Sequence, residues 1–231
     1  MSAKNLIILT TVLAGATAGI NNAHATLVSL GDCTGANDCI ITDTPPNPVT
    51  ANPNDGILLA WDEVQNFTLT SPLRVDRVFD ETADFITADG DDFLIETGTV
   101  VSSHYIQWDP GNNSSSSVQT TISLDSQIFA FMTEDANLFN SDDILGLPGL
   151  DYNDFTNRGL EGADSTDFNG TDVDIDWTAS SPGDWTRLIT AFSPGADDDG
   201  PVTVPEPGTL IMLGLGLVGL GLSARRRLKT V

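Results

Sequence analysis

Basic side chains are scarce in this chain. Its 231 residues include 33 Asp and Glu but only nine Lys and Arg, for a formal charge of −24. Residues 26–204 hold 32 of the acidic side chains, no lysine and four arginines, so this stretch carries a formal charge of −28. Nucleic-acid binders need a basic footprint, and anionic membrane surfaces attract basic segments. The composition therefore predicts neither nucleic acid nor an anionic lipid surface as a partner.

Histidine and cysteine are also rare, with two of each. His24 lies in the N-terminal segment, which leaves His104 as the only histidine of the rest of the chain. No Gly-x-Ser-x-Gly elbow accompanies it, and a transition-metal site would need more imidazole or thiolate. We expect a structural His104, no catalytic residue and no enzyme.

Long apolar runs occur only at the two ends. Lys4 precedes an apolar run, and Ala23-His24-Ala25 fits the small-x-small cleavage rule. This pattern predicts a signal peptide over residues 1–25, removed by signal peptidase. The alternatives are an uncleaved anchor and a buried helix.

The C-terminal end has a more specific pattern. Val204-Pro205-Glu206-Pro207 precedes an uncharged run over residues 209–224, and Arg225-Arg226-Arg227 follows it. As a helix the run would measure roughly 24 Å, somewhat short of the ~30 Å hydrocarbon core, so snorkelling arginines or local thinning must help it to span. The positive-inside rule keeps the arginines cytoplasmic. We expect a transmembrane helix here and export of the intervening residues through the inner membrane.

This tail resembles the PEP-CTERM sorting signal of exported bacterial proteins, a tail that has also been named the ice-binding protein C-terminal domain. The resemblance rests on Val204, Pro205, Glu206 and Pro207, followed by the apolar run and Arg225, Arg226 and Arg227. It implies processing by an exosortase and delivery to the cell surface or extracellular matrix of a bacterium. The alternative is an ordinary single-pass anchor.

Internal segments are similar to those of exported PEP-CTERM proteins of unknown function. The similar segments are Leu59-Ala60-Trp61-Asp62-Glu63, residues 98–105, Trp108-Asp109-Pro110, Leu145-Gly146 and residues 183–190. The likeness implies a shared fold and names no activity.

The middle of the chain has β-rich runs separated by turn signals and almost no helical periodicity. The predicted strands span residues 25–30, 39–42, 57–61, 67–69, 73–78, 93–96, 99–108, 118–124, 127–133, 172–178 and 185–192. Many short strands with polar turns favour an all-β fold. We predict an antiparallel β-sandwich or jelly-roll-like ectodomain over residues 26–192, an acidic linker over 193–203 and the sorting tail over 204–231.

One predicted strand alternates strictly. Asp172, Asp174 and Asp176 are separated by Val173, Ile175 and Trp177. Successive side chains of a strand point to opposite faces, so the aspartates should form an outward row and the apolar set should point inward. This row is either a solvated face that discourages edge pairing or a ladder for cations or ordered water.

Cys33 and Cys39 lie six positions apart. In an exported protein, two cysteines this close predict a disulfide. A metal pair or a redox couple is the alternative, but neither a second ligand pair nor a Cys-x-x-Cys spacing supports it.

Calcium is the metal that the abundant carboxylates would suit, because it prefers hard oxygen ligands. The candidate ligands are Asp164, Asp167, Asn169 and Asp172, although their spacing does not match an EF-hand loop.

We predict an exported, tail-processed cell-surface or matrix protein with a structural or binding role, in contact with extracellular polysaccharide. A secreted polysaccharide hydrolase is the alternative, as is a carbohydrate- or ice-binding adhesin. The sequence favours no carboxylate pair for hydrolysis, and Thr68-Leu69-Thr70 is an isolated Thr-x-Thr.

Overall fold

The computed structural model describes residues 27–111, 115–153, 156–161, 164–180 and 182–194. The predicted signal peptide and sorting tail, with its transmembrane helix, lie outside these residues. Within them, no helix combines the length and apolar character needed to cross a membrane.

The described residues form a mostly β structure, as the sequence predicts for the ectodomain, together with one short helix that it does not predict. In chain order the elements are β1 Leu27–Leu30, β2 Asp38–Ile41, β3 Ile57–Asp62, β4 Phe67–Thr68, β5 Leu73–Val75, β6 Arg77–Val78, β7 Ile86–Asp89, β8 Asp92–Ile95, β9 Val100–Trp108, β10 Ser116–Leu124, β11 Ile128–Met132, α1 Asp135–Leu145, β12 Ser165–Asn169, β13 Asp172–Ala179 and β14 Asp184–Thr190.

The strands are arranged in three sheets. The four-stranded sheet has the order β1-β10-β13-β12. The seven-stranded sheet has the order β2-β3-β9-β14-β11-β6, with β4 paired to β9. The third sheet is β5-β8-β7.

A hydrophobic cluster lies between the two larger sheets. It takes alternate side chains of the four-stranded sheet, such as Val173, Ile175 and Trp177, and side chains of the seven-stranded sheet, such as Ile106 and Leu188. The inward orientation predicted for Val173, Ile175 and Trp177 is confirmed, because all three are buried while the intervening aspartates are exposed.

A second cluster covers the other face of the seven-stranded sheet. It joins Trp61, Tyr105 and Trp185 to residues of α1 and of the third sheet. The central strands β9 and β14 are therefore covered on both faces, and almost every side chain along them is buried. This double burial explains why neither strand shows a period-two pattern in the sequence.

The prediction of purely antiparallel pairing is wrong for one pair, because β2 and β3 are parallel. Parallel neighbours need a long crossover, and residues 42–56 supply it. This proline-rich loop packs against a later segment, where the Val49 N–H donates to the Asp151 carbonyl at 2.8 Å.

Three observed elements, α1, β7 and β12, are not among those predicted from the sequence. The predicted strand over residues 73–78 is two strands, β5 and β6, that belong to different sheets. Asp76 separates them and accepts hydrogen bonds from the chain around the start of α1.

Candidate functional site

The outward side of the four-stranded sheet presents a regular polar surface, named here the polar face. It consists of Ser117, Gln119, Thr121, Ser123, Ser165, Asp167, Asn169, Asp172, Asp174, Asp176 and Thr178, all exposed or half-buried. Each alternates along its strand with an inward, apolar or small polar side chain. The alternation follows directly from strand geometry, which repeats every second residue.

Strand register pairs the aspartates of β13 with hydroxyl or amide groups of β10. Thr121 donates to Asp174 at 2.6 Å, and Gln119 donates to Asp176 at 2.9 Å. On the β12 side, Asp174 lies opposite Asp167. The polar face therefore holds fixed carboxylate acceptors and hydroxyl groups at the spacings of a sheet, about 4.8 Å across strands and about 6.7 Å along them.

A shallow groove of about 440 Å³ crosses the polar face. Asp32 and Thr34 form one side, and Gln119, Thr121 and Asp174 belong to its floor. The groove offers acceptors and donors suited to a ligand rich in hydroxyl groups.

The predicted disulfide between Cys33 and Cys39 is confirmed, with the two Cα atoms 5.9 Å apart. It closes the loop that borders the groove. Thr34 exchanges backbone hydrogen bonds with Gln119 of β10 at 3.0 and 2.9 Å, so the loop is joined to the polar face.

A second polar region is buried beneath α1. Arg187 of β14 has no exposed side-chain surface and donates to both carboxylate oxygens of Glu63 at 2.6 and 2.7 Å. Its Nη2 also donates to Asp142 of α1 at 3.0 Å, and its Nη1 donates to Ser141 and to the Leu138 carbonyl. The guanidinium thus joins the end of β3, the sheet centre and α1.

Arg158 completes this network from the segment after α1. It donates to both oxygens of Asp142 at 2.6 and 2.7 Å and to the Tyr105 hydroxyl at 2.6 Å. Two of the four arginines of residues 26–204 therefore pair with carboxylates of this network, the buried Glu63 and the half-buried Asp142. A lone Arg inside the apolar strand Trp185-Thr186-Arg187-Leu188-Ile189 is the local signal of such a buried pair.

Burial governs the pKa values in this network. Desolvation raises the pKa of the Tyr105 hydroxyl, although Arg158 and Arg187 act in the opposite direction. Desolvation and the Glu63 carboxylate raise the pKa of Tyr152. Burial lowers the pKa of Arg187, but Glu63 and Asp142 outweigh it, so the pKa is raised. The tyrosines stay neutral and the arginine stays charged at neutral pH.

A cleft of about 440 Å³ opens next to this network. It lies between α1 and residues 150–153, and Asp142, Asp143, Asp151 and Tyr152 are among its lining residues. Asp142 is held by the two arginines, so its carboxylate is fixed in the wall of the cleft.

The four predicted calcium ligands lie on different segments, with Asn169 directly opposite Asp172 across the β12–β13 pair. Asp167 and Asn169 lie on β12 and Asp172 begins β13, all three exposed on the polar face. Asp164 precedes β12, and its carboxylate lies near those of Glu161 and Asp184 instead. The calcium site proposed on Asp164, Asp167, Asn169 and Asp172 stays a prediction, and the cluster with Glu161 and Asp184 was missed.

Burial changes the pKa values of carboxyl groups in and near this cluster. Desolvation, with Asp164, Glu161 and Asp109 nearby, raises the pKa of Asp184 well above its usual range. Desolvation and then Asp55 raise the pKa of Asp109 to about 6.

The structural role expected of His104 stays a prediction. Its side chain is fully buried on β9, with Nδ1 2.7 Å from Asp62 Oδ1 and Nε2 3.1 Å from Thr190 Oγ1. Trp61, Trp108, Trp177 and Trp185 are likewise at most 1% exposed, so none offers a ring to a ligand at the surface.

Comparison with known families identifies the C-terminal end. Residues 203–227 match the family model described as the PEP-CTERM protein-sorting motif. The match includes the seven predicted motif residues, which are Val204, Pro205, Glu206, Pro207, Arg225, Arg226 and Arg227. No curated protein and no solved structure matches the chain. The chain therefore carries a C-terminal PEP-CTERM protein-sorting motif, which implies export, exosortase processing and sorting to the cell surface.

Proposed function

We propose that the exported domain is a non-enzymatic structural or binding module of the bacterial cell surface or extracellular matrix. Its two larger sheets form a sandwich whose outward polar face contacts hydroxyl-rich extracellular polysaccharide. The polar groove beside the disulfide loop is the observation that carries this proposal.

The groove suits such a ligand because its polar groups are already positioned. Asp174 and Asp176 accept hydrogen bonds from Thr121 and Gln119, so their side chains lose little freedom when a ligand binds. Carboxylate oxygens with remaining lone pairs can accept further hydrogen bonds from sugar hydroxyls.

The test compares binding of the exported protein to polysaccharide isolated from the surface of the producing cells. The double substitution Asp174→Asn and Asp176→Asn should weaken binding at least about tenfold, because hydrogen bonds to charged groups contribute about 1.5–3 kcal/mol each. Asp143→Asn, in the cleft beside α1, is the matched control and should bind normally. Equal binding by the double variant and the unaltered protein would refute the proposal.

A polysaccharide hydrolase is the second candidate, and the cleft beside α1 favours it. Two carboxylates flanking a scissile bond are the usual apparatus for glycoside hydrolysis, and this cleft contains Asp142, Asp143 and Asp151. Release of reducing ends from the same polysaccharide, lost in Asp143→Asn, would support the hydrolase over the binding module.

Processing by signal peptidase and an exosortase is part of the same proposal. The mature chain should begin near Thr26 and end near Glu206, passing through an inner-membrane intermediate held by the apolar tail. Mass spectrometry of surface-exposed protein should detect no peptide from residues 225–231. Recovery of the intact tail from cells that contain the exosortase would contradict this.

A further inference from the structure

Three carboxylates converge where β14 begins. One oxygen each of Glu161, Asp164 and Asp184 lies within 4.8 Å of the other two. Glu161 is exposed, Asp164 is half-buried and Asp184 is fully buried, so the group leads from the surface into the protein.

Asp164 is held in a fixed orientation at the centre of this group. Its Oδ1 accepts the Thr178 N–H at 2.7 Å, and its Oδ2 accepts the Glu161 N–H at 2.8 Å. Each carboxylate oxygen has a second lone-pair direction and so keeps capacity for another ligand.

The burial of Asp184 distinguishes this cluster from an ordinary acidic surface. The Asp184 side chain is 0% exposed, and neither carboxylate oxygen has a hydrogen-bond partner among the residues that the structure describes. A buried carboxylate without partners is costly and needs a positive charge or a proton.

Among the residues that the structure describes, each arginine is engaged with other groups. Arg158 and Arg187 are engaged with Asp142, and Arg74 pairs with Asp89 and Asp92. The remaining arginine of the exported region, Arg77, donates to the Thr166 carbonyl at 3.0 Å, and residues 26–204 contain no lysine.

We infer that Glu161, Asp164 and Asp184 form a divalent-cation site whose cation is calcium. Calcium takes six to eight oxygen ligands in flexible geometry, so carboxylates, carbonyl oxygens and water together suit it. Magnesium requires a tighter octahedron and gives up its water reluctantly. It should therefore bind to these three carboxylates more weakly than calcium does.

The bound cation would connect the two larger sheets. Asp184 is the first residue of β14 in the seven-stranded sheet, while Asp164 is hydrogen-bonded to Thr178 of β13 in the four-stranded sheet. A cation shared by both carboxylates stabilises the folded form because it binds that form alone. The inference does not depend on polysaccharide binding at the polar face.

The test titrates chelator-treated exported protein with CaCl₂ and with MgCl₂ by calorimetry, and follows thermal unfolding in parallel. The unaltered protein should give a saturable heat and a raised melting temperature with Ca²⁺, and a much weaker response to Mg²⁺. Asp184→Asn should lose both responses while melting no lower than the unaltered protein in chelator, because it removes a buried charge and keeps the shape.

Two further variants complete the design. Asp167→Asn, on the polar face, is the matched control and should keep the full calcium response. Glu161→Gln, at the exposed rim, should weaken calcium affinity without lowering stability in chelator.

Three outcomes would overturn the inference. The first is no saturable calcium heat from the unaltered protein, or a rise in melting temperature that NaCl reproduces at matched ionic strength. The second is unchanged binding by Asp184→Asn. The third is loss of binding in Asp167→Asn with retention in Asp184→Asn, which would place the cation on the polar face instead.

Discussion

At the scale of single residues, we expect Arg187 to matter most for the stability of the fold. It is fully buried, forms a bidentate pair with Glu63 and reaches Asp142 and the Leu138 carbonyl. Glu63 is bonded further by the Ser103 hydroxyl at 2.5 Å and by Tyr152. Every polar atom of the Arg187–Glu63 pair has a hydrogen-bond partner, which offsets the cost of burying the two charges. Removal of either residue would leave the other charge buried and unpaired.

The substitution Arg187→Met tests this reading. Methionine keeps much of the side-chain volume but leaves Glu63 buried and unpaired, so the free energy of unfolding should fall by about 3–5 kcal/mol. Urea unfolding of the exported protein measures the change.

Arg74→Met is the control for this substitution. Arg74 pairs with Asp89 and Asp92 at the surface, and exposed ion pairs contribute little. Equal losses from the two variants would show that burial does not set the strength of the Arg187 pair.

At the scale of elements, the N-terminal end of α1 is fixed by a residue distant in the chain. The residue at the cap position, Glu134, makes no side-chain capping bond. Asp76, between β5 and β6, holds the chain just before the helix, accepting the Thr133 N–H at 2.8 Å and the Asn137 side-chain N–H at 3.2 Å. A carboxylate also suits the positive end of the helix dipole.

Asp76→Ala should therefore lower the free energy of unfolding by about 1–3 kcal/mol, because it leaves the donors of Thr133 and Asn137 without their acceptor. Thermal unfolding measures this loss. The control is Asp80→Ala, because the Asp80 side chain bonds only to Thr82 in an exposed turn among the described residues. A loss as large in Asp80→Ala would argue against these hydrogen bonds as the cause.

The disulfide loop requires glycine at position 35. Gly35 has φ +85°, and a Cβ there would lie 1.9 Å from the Ser117 carbonyl oxygen. Gly35→Ala should destabilise the protein by more than about 1 kcal/mol and weaken binding at the groove, because the loop must move away from β10.

Gly90→Ala is the control that distinguishes the effect of backbone strain from the effect of a steric clash. Gly90 has φ +72°, but a Cβ there would meet no atom within 4 Å. It should cost less stability than Gly35→Ala in the same unfolding assay, with groove binding unchanged. Equal effects of Gly35→Ala and Gly90→Ala on binding would show that the disulfide loop does not support the groove.

At the scale of the whole molecule, the dominant property is the formal charge of −28 over residues 26–204. Since two of the four arginines are committed to the buried Glu63 and the half-buried Asp142, the surface is more one-sided than the composition suggests. Like charges at the surface destabilise the compact state by mutual repulsion, and salt screens them.

The melting temperature should therefore rise gradually as NaCl increases from about 0.01 M to about 0.5 M, over which the Debye length shortens from about 30 Å to a few ångströms. A triple variant with Asp172, Asp174 and Asp176 changed to Asn should respond less steeply. A salt response that is flat, or equally steep in the triple variant, would contradict this.

The sequence by itself determined how the protein is sorted and where strand β13 alternates between core and solvent. The sorting motif is read from consecutive residues, so Val204 to Arg227 needs no tertiary information. The alternation of β13 predicts its burial residue by residue, because one face of that strand meets the core and the other meets solvent. The disulfide was predictable because Cys33 and Cys39 are near neighbours in the chain.

Tertiary structure alone decided the helix, the parallel pair and the buried charges. The segment of α1 is rich in Asn, Ser and Asp, which are weak helix formers, and the chain before it is held by Asp76, 59 positions before the start of α1. Glu63 and Arg187 meet across 124 residues, and Asp184 approaches Asp164 only because β13 and β14 belong to different sheets that pack together. Local periodicity carries no information about such distant partners, whereas long-range packing brings them together.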